Sequence, residues 1–165
     1  MMRRLLFVAA LLVLCVLDLA TKSLAFQRVP EYTSPPVEVV RGFFYITHAE
    51  NDGAMWSLFQ GLPAWFWVVV RGSVFGLMLV HVLRNASYPA WVRTAFLFVL
   101  SGALGNLYDN MTGNGRVRDF ITLVFWGWPF PTFNVADSLI SVGACMLALW
   151  FLWLEPRRAR RMAAA

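Results

Sequence analysis

Charge is what this chain has least of: 14% of its 165 residues are Asp, Glu, Lys or Arg, against 59% hydrophobic, and the mean hydropathy is +0.61. That composition excludes an ordinary soluble domain, whose charged fraction sits near about one quarter. Cysteine and histidine are equally scarce, at two residues each. Cys15 and Cys145 each fall in an apolar stretch without metal-ligand spacing, which excludes a disulfide framework or zinc ribbon and leaves both as expected buried packing thiols. Leu14 precedes Cys15 where a lipid-attachment box needs a small residue, so lipidation of this chain is not expected. His48 and His81 are assigned to opposite sides of a membrane, so no zinc set forms, and no serine has a Ser-His-Asp setting. Internal repeats are absent, as are low-complexity tracts apart from a basic, Ala-rich tail over 155–165.

Long apolar runs, by contrast, nearly fill the chain. A hydrocarbon layer of about 30 Å needs roughly 20 apolar residues per helix, and spans are expected over about 5–19, 64–83, 91–107 and 133–154. No room is left for a second domain. Arg3 and Arg4 before the first run suggest a cleaved signal peptide, but the run continues into Asp18 and Lys22 and is read as a retained helix. Arg3, Arg4, Arg84, Arg93 and the arginines after Pro156 fall in the tails and the loop between the second and third spans. The positive-inside bias therefore places both termini in the cytoplasm. The same clustering near anionic headgroups accounts for a pI near 9.9, and no nucleic-acid partner is expected.

The two outward segments carry the polar chemistry. The first, 23–63, has prolines, an alternating β-branched and aromatic stretch over 37–47 that reads as one or two strands, and an Asn51-Asp52-Gly53 turn. Its apolar end, Met55 to Leu62, suits an interfacial position for Trp56 and Phe59. The second, 108–132, reads as an interfacial loop. Of nine carboxylates, only Glu155 is expected on the cytoplasmic side. Ionisable groups in or beside spans are costly unless paired or working. Asp18 and Lys22, four apart on one helix face, suit a structural ion pair that charge reversal at both positions should restore. Asn134 and Asp137 repeat at the fourth span the spacing of Asn106 and Asp109 at the end of the third, and Asp119 lies in the loop between. Arg71 within the second span either snorkels or pairs with a carboxylate, while Gly72, Ser73 and Gly76 suggest close helix packing.

Two carboxyls held together at low dielectric share a proton, so one serves as base toward water while the other polarises a carbonyl. Spacing leaves the pair open among Asp109, Asp119 and Asp137. The sequence resembles the lipoprotein signal peptidase (signal peptidase II) family through five ordered motifs: DLATK from Asp18, NDGAMWSLF from Asn51, GALGNLYDN from Gly102, GRVRDFI from Gly115 and FNVADSLISVG from Phe133.

The resemblance implies Asp119 and Asp137 as the catalytic aspartates, with Asn51, Gly53, Asn106, Asp109, Asn134 and Ala136 lining or supporting the site and Asp18 and Lys22 as a further matching pair. It implies one membrane-embedded peptidase domain over 1–165, an all-α polytopic protein of four transmembrane helices with a small extracytoplasmic β-cradle from the first outward segment and an interfacial helix. It implies an aspartyl endopeptidase of the bacterial inner membrane, acting as a monomer without cofactor or metal. Its substrates would be diacylglyceryl-modified prolipoproteins, cut before the lipidated cysteine at the outer face among membrane lipids. Asn110 stands where the family commonly has arginine, and Trp56 where phenylalanine is commoner. The rival readings are a small transporter or proton-relay subunit, whose carboxylates would spread through the bilayer depth, and an inactive binding protein of the same fold.

Overall fold

The computed structural model describes residues 2–51, 63–85 and 87–156. Among the described residues four helices are long and apolar enough to cross a membrane: Met2–Arg28, Trp65–Arg84, Ala90–Thr112 and Val135–Leu154. In chain order the elements are α1 (Met2–Arg28), β1 (Val37–Val40), β2 (Phe44–Asn51), α2 (Ala64–Arg84), α3 (Ala90–Thr112), β3 (Val117–Phe125), β4 (Trp128–Pro129) and α4 (Val135–Leu149), which ends in a π-helical turn, Trp150–Leu154. Gly53, Trp56, Phe59 and the expected interfacial helix lie outside the described residues, as do residues 157–165 of the tail.

Pro63 and Pro89 precede α2 and α3, where a missing N–H costs no intrahelical bond and the fixed φ suits the turn into a helix. α3 is the central helix: 39% of its apolar window is buried inside the protein against 6% for α2. At the end opposite the sheet, Phe7, Leu11, Val82, Val92, Phe96, Leu100 and Trp150 form the apolar core. The tight crossing is between α3 and α4. A Cβ at Gly143 would stand 2.7 Å from the Ala95 carbonyl oxygen, and one at Gly102 would strike the carbonyl of Ala136.

Several expectations change. Gly76 has open space where a Cβ would go and Gly72 meets only a Leu107 methyl at 4.0 Å, so the small residues of α2 do not mark the close approach. Cys15 is buried, but Cys145 is exposed on the α4 face that also shows Val142 and Leu149. α1 runs nine residues beyond the expected Leu19, because Asp18 and Lys22 find partners inside the bundle and the helix need not end at them.

The segment read as an interfacial loop instead supplies the longest strand. β1, β2, β3 and β4 form one antiparallel sheet in that order, with Ala49 opposite Asp119 and Asn51 opposite Val117. The sheet thus draws on both inter-span segments. α3 also continues to Thr112 before Asn114 and Gly115, both at positive φ (52° and 87°), reverse the chain into β3.

Candidate active site

The site is built around the first turn of α4. Asn134 caps the helix reciprocally with Asp137: the Asp137 N–H donates to Asn134 Oδ1 at 2.9 Å, and the Asn134 N–H donates to Asp137 Oδ2 at 3.1 Å. A residue read from spacing as sharing a helical face with Asp137 is therefore the cap itself. Its amide group points away from α4, donating to Asp119 Oδ1 at 2.6 Å. Asp119 comes within reach because Phe133, just before the cap, pairs with Ile121 of β3, with N–H···O bonds of 2.8 and 3.0 Å. One carboxamide thus links the Asp119 carboxylate to the backbone N–H of Asp137.

From α3, Asn106 donates to the other oxygen of Asp137 at 2.8 Å and accepts from Lys22 Nζ at 2.8 Å. Lys22 and Asp18 are fully buried. Lys22 Nζ lies 2.8 Å from Asp18 Oδ2 and 3.2 Å from Asp109 Oδ2, while Asp18 Oδ1 accepts the Ala136 N–H at 2.8 Å. Asp18 therefore satisfies an N–H of the first turn of α4, where the helix dipole also favours a negative charge. Gly105 allows the approach, since a Cβ there would collide with the Asp18 carboxylate.

Asp109 does not join Asp119 and Asp137. It receives Arg118 Nη2 at 2.7 Å, Arg118 Nε at 3.1 Å and the Arg118 backbone N–H at 3.1 Å, which anchors β3 one residue before Asp119. Asp18, Asp109, Lys22 and Arg118 form a neutral network of two acids and two bases. Each buried charge has a partner, as desolvation demands. The reading of Asp18 and Lys22 as a simple pair is corrected: reversing them would set a carboxylate against Asp109 and a cation against the Ala136 N–H.

Sequence reasoning missed Arg118 as the clamp on Asp109. Its adjacency to Asp119 was the available signal, but a separation of nine residues across a turn has no periodic signature. Arg71 donates to Asn110 Oδ1, a carboxamide and not the carboxylate considered for it. A guanidinium from α2 thereby stands against position 110, where the family's commoner arginine is absent. His48 donates from Nδ1 to the Val29 carbonyl oxygen at 2.9 Å, fastening β2 to the residue that follows α1.

A cavity of about 690 Å³ opens from these groups, with Asn51, Asp119, Asp137, Asn106 and Arg71 at its polar end and Val74, Phe75, Met78 and Ile140 along its apolar wall. A second cavity, of about 600 Å³, shares Asn51 and Asp119 with the first but is bordered by Tyr32, His48, Glu50 and Arg116. Asp119 is 2% exposed. Burial first, and the neighbouring Asp137 charge second, push its carboxyl up to about 6, against the opposing pull of hydrogen bonds from Asn134 and Asn51 and of the Lys22 charge. Two carboxyls so placed can divide the roles of acid and base toward a water molecule.

The family described as Signal peptidase (SPase) II matches residues 10–153. The lipoprotein signal peptidase of Yersinia pseudotuberculosis is 33% identical over 138 residues, covering 82% of this chain and 79% of that protein. That of Listeria monocytogenes is 32% identical over 149 residues, covering 90% and 94%. A solved bacterial membrane enzyme superposes with a TM-score of 0.76 at 26% identity, covering 90% of this chain and 93% of the other. A second solved bacterial membrane enzyme gives 0.74 at 26% identity, covering 88% and 87%. With a family model matching residues 10–153 and relatives of this identity spanning most of both chains, the chain belongs to the signal peptidase II family.

Proposed function

We propose that this protein is an aspartyl endopeptidase that removes signal peptides from diacylglyceryl-modified lipoprotein precursors, cutting before the lipidated cysteine. The observation that carries the reading is the Asn134 carboxamide joining Asp119 to the Asp137 cap at the edge of a half-apolar cavity. Both oxygens of Asp137 accept hydrogen bonds, from Asn106 and from the Asn134 N–H, and Asp119 holds its proton up to about pH 6. Asp137 therefore takes the proton of the attacking water while Asp119 donates to the scissile carbonyl oxygen. Collapse of the tetrahedral intermediate breaks the C–N bond as Asp137 passes its proton to the leaving amine and a hydroxyl of the intermediate returns its proton to Asp119. An apolar substrate that expels water from the cavity raises Asp119 further and keeps it protonated at neutral pH.

The two cavities divide the substrate. Acyl chains and the apolar signal segment fit the wall of α2, whereas water enters from the polar cavity that meets the first at Asn51 and Asp119. A lipid-anchored precursor arrives by lateral diffusion, which matches a site at the sheet end of the bundle, level with headgroups. Arg3, Arg4, Arg84 and Arg93 lie at the opposite end, which supports an extracytoplasmic sheet end and cytoplasmic termini, in the bacterial inner membrane that the family resemblance implies. The sheet cradles the precursor at the interface, and the chain works as a monomer.

The test is a gel-shift cleavage assay on a lipidated precursor with Asp119→Asn and Asp137→Asn. Each variant is expected to remain inserted and to lose at least about 10³-fold in rate, the scale of acid–base catalysis. Vigorous cleavage by Asp137→Asn overturns the assignment.

A further inference from the structure

Arg71 stands out once the site is assembled. Between Ala64 and His81 it is the one charged residue of α2, about 10 Å along the helix axis from Ala64. A cation inside a span is disfavoured unless it snorkels to water or finds partners, so a guanidinium turned to Asn110 and the cavity calls for a role. Among the described residues no carboxylate pairs with it; its partner is the neutral Asn110 Oδ1. Asn110 is a rigid anchor, 3% exposed, with its own amide donating to the Gly115 carbonyl at 2.9 Å and its backbone carbonyl accepting the Gly115 N–H at 2.9 Å. A guanidinium has five N–H donors, and among the described residues the bond to Asn110 is the one that engages them, so donors remain for whatever enters the cavity that Arg71 lines.

The ligand must offer oxygen acceptors to the guanidinium and hydrocarbon to Val74, Phe75 and Met78 beside it. Asn110 lies one helical turn beyond Asn106 on α3, about 6 Å along the axis, so the guanidinium sits within a short tether of the level of Asp137, which Asn106 contacts. The scissile carbonyl belongs to the aspartates. Glycerol esters next to it supply both requirements in one group. The charges that act on Asp119 are those of Asp137 and Lys22, which separates Arg71 from the proton chemistry.

We propose that Arg71, held by Asn110, is a substrate-binding residue that donates hydrogen bonds to the ester carbonyl oxygens of the diacylglyceryl group on the precursor's cysteine. This rests on the peptidase reading above. A phospholipid headgroup presents the same oxygen acceptors and chains, and the test separates the two.

The experiment compares the full-length wild type with Arg71→Gln and Arg71→Lys in nanodiscs, on matched precursors bearing ester-linked diacyl or ether-linked dialkyl glycerol. Wild type should show KM about tenfold higher on the ether precursor, the scale of a charge-assisted hydrogen bond. Arg71→Gln should show that penalty on the ester precursor and no further one on the ether. Arg71→Lys should fall between. kcat and the pH profile should not move. Equal Arg71→Gln penalties on both precursors overturn the assignment, because Arg71 then serves α2 docking or another contact. A penalty present with anionic phospholipid and absent with neutral lipid also overturns it, in favour of a lipid site. Failure of the wild type to cut either precursor would sink the peptidase reading itself.

Discussion

Replacing Asp119 with Asn should inactivate the protein and stabilise it at the same time, with a pH dependence set by one group. The carboxyl is 2% exposed and holds its proton up to about 6, against 3.8 for an ordinary aspartate. Each tenfold change in proton affinity is worth about 1.4 kcal/mol, so ionising Asp119 in the folded state costs up to about 3 kcal/mol more than in the unfolded chain. Because the folded value is the higher one, its stabilising contribution is complete below pH 3.8 and is lost as pH rises through about 6. Wild type should therefore lose up to about 3 kcal/mol between roughly pH 4 and pH 7 from this residue. The carboxamide introduced by Asp119→Asn cannot ionise, and its oxygen can still accept from Asn134, so the variant escapes that loss. Unfolding of detergent-solubilised protein, followed from pH 4 to pH 8, should show the variant's advantage near zero at the acid end and growing to a plateau above about pH 7. A difference that does not vary with pH, or a variant less stable than wild type at pH 8, would refute the claim that Asp119 is desolvated beside a like charge.

The Lys22 network makes a second test. Lys22→Met strands the buried Asp18 carboxylate and should cost about 3–5 kcal/mol, whereas adding Asp18→Asn removes the stranded charge and should recover part of that loss; strict additivity in a double-mutant cycle would count against the network. Exchanging the two charges should rescue nothing. Gly105→Ala drives a methyl into the Asp18 carboxylate and should destabilise by about 1–3 kcal/mol, measurable by thermal unfolding, with activity falling as α4 shifts; a neutral result would show that α1 can retreat from α3 freely.

Legibility followed the range of the interaction. The four spans could be read because each is a local property: a window of some twenty residues either suits hydrocarbon or does not. β1 and β2 were legible from alternation in Val37 to Thr47. β3 was not, because Phe120, Ile121, Leu123, Val124 and Phe125 form a nearly continuous apolar run whose strand character depends on pairing with β2, 66 to 79 residues earlier. Arg71 and Asn110 carried no hint of each other, since 39 residues separate them.

By itself the sequence determined that the chain must live in a membrane, how many times it can cross, and, through motif resemblance, which acids to suspect. Those conclusions depend on solvent preference and on local patterns, which a linear chain displays openly. Only the tertiary structure decided which partners each carboxyl takes. Asp109, Asp119 and Asp137 were equal candidates by spacing, and the fold parts them: Arg118 and Lys22 draw Asp109 into a charge network, while the Ile121–Phe133 bridge swings Asn134 and its helix against Asp119. The physical reason is that a buried polar group takes the partner that packing brings to it, and packing joins residues far apart in the chain.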